Sequence, residues 1–225
     1  MIEQRLADRH DAGRRLAALL HGRTDWRPVV LALPRGGVPV GFEIAAALGA
    51  PLDLILVRKI GAPGNPELGL GAVADGDPPV TVLNEDLIDD LGVSRAELDA
   101  ERQRQLREIA RQRQAYGRAA RLPSLRTCDA IVVDDGIATG GTARAALRAA
   151  SATGARRTVL AVPVAPPGTL EALRPEADEI VCLLQPQRFG SVGEHYVRFE
   201  QVDDAEVVAL LAAAPALPAA GQVFR

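Results

Sequence analysis

The sequence predicts an α/β fold, a parallel twisted sheet flanked by helices. Two observations lead there. The apolar runs "VVLAL", "LDLILV", "AIVV", "TVLAVPV" and "EIVCLL" lack polar alternation, as strands buried on both faces require. Segments with helical spacing separate most of these runs, which is how parallel strands are connected. A third observation concerns function: glycine-rich or charged residues follow several runs, and ligands of such sheets bind beyond the carboxyl ends of the strands.

Residues Ile2 to Leu20 place Ile2, Leu6, Leu16, Leu19 and Leu20 on one side of a moderately amphipathic helix. Val29 to Leu33 forms the first strand, "PRGG" breaks it, and Val38 to Leu48 reads as a helix. Leu52 to Val57 is the second strand, with Arg58 and Lys59 at its end. Ala62 to Pro79 is too rich in Gly and Pro for an ordinary connection and reads as a long loop. Val80 to Leu83 is an edge-like strand. "SRAE" at Ser94 is a capping box that opens a helix to about Tyr116. Strands follow at Ala130 to Val133, Thr158 to Val164 and Glu179 to Leu184, with helices at Thr142 to Thr153 and Thr169 to Leu173 between them. Asp203 to Ala213 closes the ordered chain.

A chain of 225 residues, 48% hydrophobic and 24% charged, is expected to bury one sizeable core. Its net charge of -3 gives no whole-molecule field for a nucleic-acid partner. No stretch approaches the roughly 20 apolar residues of a membrane helix, and the charged start "MIEQRLADRH" has no signal region, so a cytoplasmic protein without a membrane partner is expected. Cys128 and Cys182 lie in apolar contexts and are read as buried thiols. His10 and His21 show no metal spacing. Of 26 basic residues only Lys59 is lysine, which offers a compact ammonium that a guanidinium does not imitate.

The most informative stretch is "IVVDDGIATGGT". Adjacent like charges repel, and three glycines between Gly136 and Gly141 cost backbone entropy on ordering. Successive amides from Gly136 to Thr142, running into a helix start, form a concave anion trap. Gly140 and Gly141 allow close approach, and Thr139 and Thr142 add hydroxyls. Ionised Asp134 and Asp135 accept hydrogen bonds only, so they suit the vicinal hydroxyls of a sugar. The stretch describes a sugar phosphate held at both ends.

These residues resemble the signature of type I phosphoribosyltransferases, which bind 5-phosphoribosyl 1-pyrophosphate (PRPP). The resemblance implies that fold, with a small hood and a helical insert. It places a single phosphoribosyltransferase-like domain over residues 1–214, an insert over about 84–121, hood elements over about 185–200, and a flexible tail over 215–225. It implies that Gly136, Ile137, Ala138, Thr139, Gly140, Gly141 and Thr142 bind the 5′-phosphate, and that Asp134 and Asp135 hold the ribose and contact a metal. "LPRGGVPVG" is similar to the family's pyrophosphate loop, so Arg35, Gly36 and Gly37 are expected at the leaving group, with Arg58 and Lys59. Arg35, Lys59, Asp134 and Asp135 would then be the catalytic residues. Ala62 to Asp77 corresponds to the mobile loop over the site, where Glu67 is either a cap or a closing contact.

The resemblance implies an enzyme, a pentosyl glycosyltransferase of nucleotide metabolism, that uses Mg²⁺ and PRPP and releases pyrophosphate. The acceptor is a nucleobase or similar nucleophile, and a homodimer is expected. Ala138 stands where enzymes of 6-oxopurines typically carry Asp, which weighs against those bases. Gly136 replaces the usual apolar residue and would loosen the turn. In the hood, Phe189, Tyr196 and Phe199 either stack on a ring or bury area, and His195 either contacts a base or a phosphate or is a surface residue. Two alternatives stand beside the enzyme: a non-catalytic PRPP- or nucleotide-binding regulator, and an RNA-binding attenuator using the arginines of Glu101 to Arg121.

Overall fold

The computed structural model describes residues 5–23, 25–76, 78–117 and 125–215, without the side chain of Glu67. Eight strands form two sheets. The first has the order β2-β1-β6-β7-β8 and is parallel throughout, from β1 (Pro28–Ala32), β2 (Leu52–Leu54), β6 (Asp129–Val133), β7 (Arg157–Val164) and β8 (Glu179–Leu184). β6 is buried along its whole length and β1 and β7 at all but their first residue, which explains the unbroken apolar runs.

The second sheet is antiparallel and corrects the sequence reading. "LDLILV" is two strands, not one. The chain leaves the parallel sheet at Ile55, whose N–H still reaches the Ala32 carbonyl at 3.0 Å, and turns into β3 (Val57–Ala62). The supposed loop from Ala62 is β4 (Asn65–Ala74), paired with β3 and with β5 (Val80–Leu83). Its glycines mislead because they serve close packing. A Cβ on Gly71 would lie 2.2 Å from the Val82 carbonyl oxygen, and one on Gly61 2.6 Å from that of Pro66.

α1 (Arg9–Leu20) and α2 (Gly37–Leu48) pack together on one face of the parallel sheet with α7 (Asp204–Ala213). α1 starts later than expected: Asp8 caps it, and Leu6 instead forms a bridge with Tyr196. Ile2 and the residues from 216 lie outside the described chain. α5 (Gly141–Ala152) and α6 (Pro167–Leu173) cover the other face. α5 touches both sheets, and Ala143, Ala145, Ala146, Ala149 and Ala150 are all buried. An alanine-rich helix is what two close sheets admit.

α3 (Glu85–Leu91) and α4 (Arg95–Ala115) lie against the antiparallel sheet, and the capping box at Ser94 and Glu97 forms as read. α4 is pinned by Arg113, which is fully buried. Its guanidinium meets Asp75 at 2.6 Å, the Leu54 carbonyl at 3.1 Å and Asp53 at 3.4 Å. Asp75 also accepts the Leu56 N–H at 2.8 Å, so one ionic cluster fixes the point where the chain passes between sheets. Among the described residues, no helix is long and apolar enough to cross a membrane.

Candidate active site

β1 and β6 are neighbours, in register from Pro28 with Asp129 to Ala32 with Val133. β1 leads to α2 on one face of the sheet and β6 to α5 on the other. Their carboxyl ends therefore diverge around a crevice, the position where parallel sheets bind ligands. Leu33 N–H donates to the Val133 carbonyl at 2.8 Å, so the two loops start side by side. A Cβ on Gly36 would sit 2.0 Å from Asp135 Oδ2, and one on Gly37 2.7 Å from the Val133 oxygen. Both glycines are thus required by contact between the "PRGG" and "DDG" loops, a reason the sequence does not show.

The acidic pair closes the crevice. Asp134 Oδ1 accepts the Asp135 N–H at 2.9 Å. Asp135 Oδ2 accepts from Arg9 through Nε at 2.8 Å and Nη2 at 2.7 Å. The two carboxyls also hydrogen-bond to one another, a contact that favours the proton on Asp134 and the charge on Asp135. Burial pushes both carboxyls above the usual carboxylate range, and the neighbouring Asp135 charge pushes Asp134 further. The Arg9 guanidinium opposes the shift at Asp135. The pair is therefore asymmetric: Asp134 holds a proton more readily than Asp135.

Arg9 also lies 3.8 Å over the Phe199 ring and donates to the Glu200 carbonyl at 2.6 Å. Tyr196 donates its O–H to the Asp135 carbonyl at 2.6 Å and packs against Phe199 at 5.0 Å between centroids. Burial, then the Asp135 charge, pushes the Tyr196 phenol up, so it stays a donor. His195 is buried rather than exposed, stacked on Phe189 at 5.3 Å, and its Nε2 has no partner among the described residues.

The loop after the acids is tighter than expected at its start. Ile137 N–H donates to the Val164 carbonyl at 2.9 Å and is not part of an anion trap. Gly136 does not loosen the turn, since a Cβ there would meet Val192 at 2.5 Å and Val164 at 2.9 Å. Thr169 Oγ1 donates to the Ala138 carbonyl at 2.7 Å and braces the loop from α6. Gly140, the residue that precedes α5, is left-handed at φ 82, a conformation that glycine adopts without the steric cost of a Cβ. The amides of Thr139, Gly140, Gly141 and Thr142 have no partner among the described residues, and they open toward the α5 start.

The structure separates the basic residues that the sequence groups. Arg35 forms an ion pair with Asp204 at 3.7 Å, and Tyr116 donates to the same carboxylate at 2.8 Å. Arg58 and Lys59 lie within β3, not at the end of a parallel strand, and so face opposite sides. Arg58 donates to Gln105 of α4 at 3.2 Å. Lys59 pairs across the sheet with Ala72, whose side chain belongs to the cluster around α5. Only Lys59 shares the face of the helix that carries the amide nest. Cys128 is buried and Cys182 is partly so, with burial pushing its thiol up to about 11.

Sequence reasoning missed Arg9, whose partner is 126 positions away, and the ionic cluster of Arg113, which sits unmarked in an arginine-rich stretch. No local signal distinguishes either from a solvated arginine.

A family model described as "Phosphoribosyl transferase domain" matches residues 4–196. A Mycobacterium tuberculosis protein provisionally named a phosphoribosyl transferase is 47% identical over 204 residues, which are 91% of this chain and 46% of that protein. The chain spans about half the length of the curated relatives it matches. The crystal structure of TT1426 from Thermus thermophilus is 42% identical with a TM-score of 0.76, covering 94% of this chain and 99% of that one. A structure of the AQ2163 protein from Aquifex aeolicus shares the fold at a TM-score of 0.50 and 14% identity, covering 82% of this chain and 78% of that one.

Proposed function

The chain belongs to the phosphoribosyl transferase domain family, and from that premise we propose that it transfers ribose 5-phosphate from PRPP to a nucleobase or similar nucleophile, releasing pyrophosphate. The observation that carries this reading is the junction of two features at the β1–β6 crevice. Amides from Thr139 to Thr142 that have no partner among the described residues adjoin two carboxyls that lie against one another, with Asp135 held by Arg9. A phosphate monoester suits the first and a vicinal diol the second.

In this reading the 5′-phosphate sits on the amides of the loop from Gly136 to Thr142, apart from that of Ile137, which is committed to the Val164 carbonyl. Asp134 and Asp135 orient the ribose so that its anomeric carbon faces the acceptor. The carbon–oxygen bond to pyrophosphate breaks and its electron pair leaves with pyrophosphate. The acceptor nitrogen forms the new bond and gives up its proton to solvent. Arg35 and Lys59 stabilise the charge that grows on the leaving group, beside Gly36 and Gly37. Arg58, turned toward α4, contributes field rather than contact.

Mg²⁺ fits the donor set. It takes oxygen ligands, keeps waters, and is usually held by one or two carboxylates together with substrate phosphates. Asp134 and Asp135 offer such oxygens, while no cluster of three or more metal-ligating side chains occurs among the described residues. When bound, the ion would neutralise charge on the pyrophosphate. We place the acceptor under residues of about 185–200, assign the insert of about 84–121 to a cap or homodimer surface, and locate the protein in the cytoplasm.

The test is calorimetric titration with Mg²⁺-PRPP of the wild type and of a double variant, Asp134→Asn with Asp135→Asn. The variant should bind at least about tenfold more weakly, given roughly 1.5–3 kcal/mol per hydrogen bond to a charged group. Undiminished affinity would remove the ribose assignment.

A further inference from the structure

We infer that Arg9, carried on the N-terminal helix, is the positioning residue of the acidic pair. The inference rests on the reading above and deepens it. It stands on one juxtaposition: a nearly buried guanidinium, with 11% of its side chain exposed, meets Asp135, the Phe199 ring and the Glu200 carbonyl at once.

A guanidinium is a planar fork of five N–H groups in fixed directions. Here Nε and Nη2 both go to Asp135 Oδ2, and Nη1 goes to the Glu200 carbonyl. The ring of Phe199 covers the guanidinium and leaves it no freedom to turn. Asp135 Oδ2 is thereby committed and its χ angles are set. Oδ1 is the Asp135 oxygen that takes no bond from Arg9, and the carboxyl as a whole is held against that of Asp134. Two carboxyls without this clamp could each present either oxygen, and they would repel one another out of register. With it Asp135 keeps one orientation toward Asp134 and toward the sugar hydroxyls that the pair would meet.

The same contacts tie two distant segments, the start of α1 and residues 199–200, to the sugar site. Leu6 N–H donates to the His195 carbonyl at 2.9 Å, Val197 N–H to the Leu6 carbonyl at 2.8 Å, and Arg198 N–H to the Ala7 carbonyl at 3.0 Å. Asp8 and Arg198 form an ion pair beside them. These bonds hold the start of α1 against residues 195–198 whether or not Arg9 is present. Removing the Arg9 head group therefore tests orientation of Asp135 rather than the folding of the segment.

The experiment titrates the whole chain with Mg²⁺-PRPP and, separately, with Mg²⁺-pyrophosphate, which has no sugar. The proteins are the wild type, Arg9→Met and Arg9→Lys, each checked by thermal unfolding. Arg9→Met should lose about ten- to a hundredfold in PRPP affinity, the scale of one or two hydrogen bonds to a charged group, while pyrophosphate affinity stays within about twofold. Arg9→Lys should recover part of the loss, since an ammonium holds the same oxygen without the fork. Equal PRPP affinity in Arg9→Met and the wild type would overturn the inference and leave the reading standing. Parallel loss of both ligands would show a merely structural residue and overturn it too. A wild type that binds no PRPP would overturn the reading itself, and this inference with it.

Discussion

Gly36 shows how a single residue is dictated from across the crevice. Its backbone is right-handed helical at φ -61 and ψ -33, so any amino acid could adopt it; only space forbids a side chain. A methyl group there would lie 2.0 Å from Asp135 Oδ2 and 2.5 Å from its Cγ. Gly36→Ala should therefore displace Asp135 and weaken Mg²⁺-PRPP binding by at least about tenfold, while overpacking costs about 1–3 kcal/mol of stability. Titration and urea unfolding on one preparation separate the two effects, and unaltered binding would mean the loop yields instead. Asp75 makes a second residue-scale case, in stability alone. Burial pushes its carboxyl up to about 6, with the Arg113 charge opposing. Between about pH 4 and 6 the folded chain keeps a proton that the unfolded chain has lost, so this group's contribution falls as pH rises and is level above. Asp75→Asn abolishes that slope. The wild-type minus variant difference in unfolding free energy should then decrease from pH 4 to 6, by about 2 kcal/mol. Taking the difference cancels carboxylates such as Asp8 and Glu179, whose arginine partners and backbone bonds shift them the opposite way. A flat difference curve would contradict it.

At the scale of elements, β3 decides which basic residue can reach the ligand. Strand alternation sends Arg58 to Gln105 of α4 and Lys59 to the face shared with Ala72 and α5. The prediction is a contrast: Lys59→Met should lower kcat/KM for pyrophosphate release by about a hundredfold or more, and Arg58→Met by less than about fivefold, as expected of a direct charge contact against a distant one. Equal losses would return both to the site. This contrast also marks where the sequence stops informing. The parallel strands and the strand–acid–glycine–helix unit at Asp134 were legible because each depends on neighbours in the chain. Of the antiparallel sheet only the edge strand Val80–Leu83 was. The sheet's glycines answer to backbone on the adjacent strand, as Gly71 does to Val82, and composition alone cannot separate such a glycine from one in a loop. The same holds for Arg113. Its helix reads as a solvated one because nothing local tells that Asp53 and Asp75 will converge on one arginine among many.

For the molecule as a whole, charge is the property that separates a small-molecule enzyme from a nucleic-acid binder. The net charge of -3 opposes a polyanion, so RNA binding would need a local concentration of free cations, and the stretch from Glu101 to Arg121 is where the sequence offers one. Among the described residues, the structure engages four of those arginines internally. Arg113 is buried against Asp75, Arg104 pairs with Glu101 at 2.7 Å, Arg111 pairs with Glu108 at 2.6 Å, and Arg102 donates to Thr81 at 2.8 Å. Polyelectrolyte binding draws its free energy from counterions released as cations neutralise phosphates, and a cation already neutralised by a carboxylate releases few. A short single-stranded RNA should accordingly show no shift on native gels at about 0.15 M salt, and no more than weak, sequence-independent retardation at about 0.03 M. A tight complex whose affinity falls steeply between those two salts would instead show that the glutamates give way. The arginine-rich helix would then have to be read as a binding surface rather than as the outer wall of the antiparallel sheet.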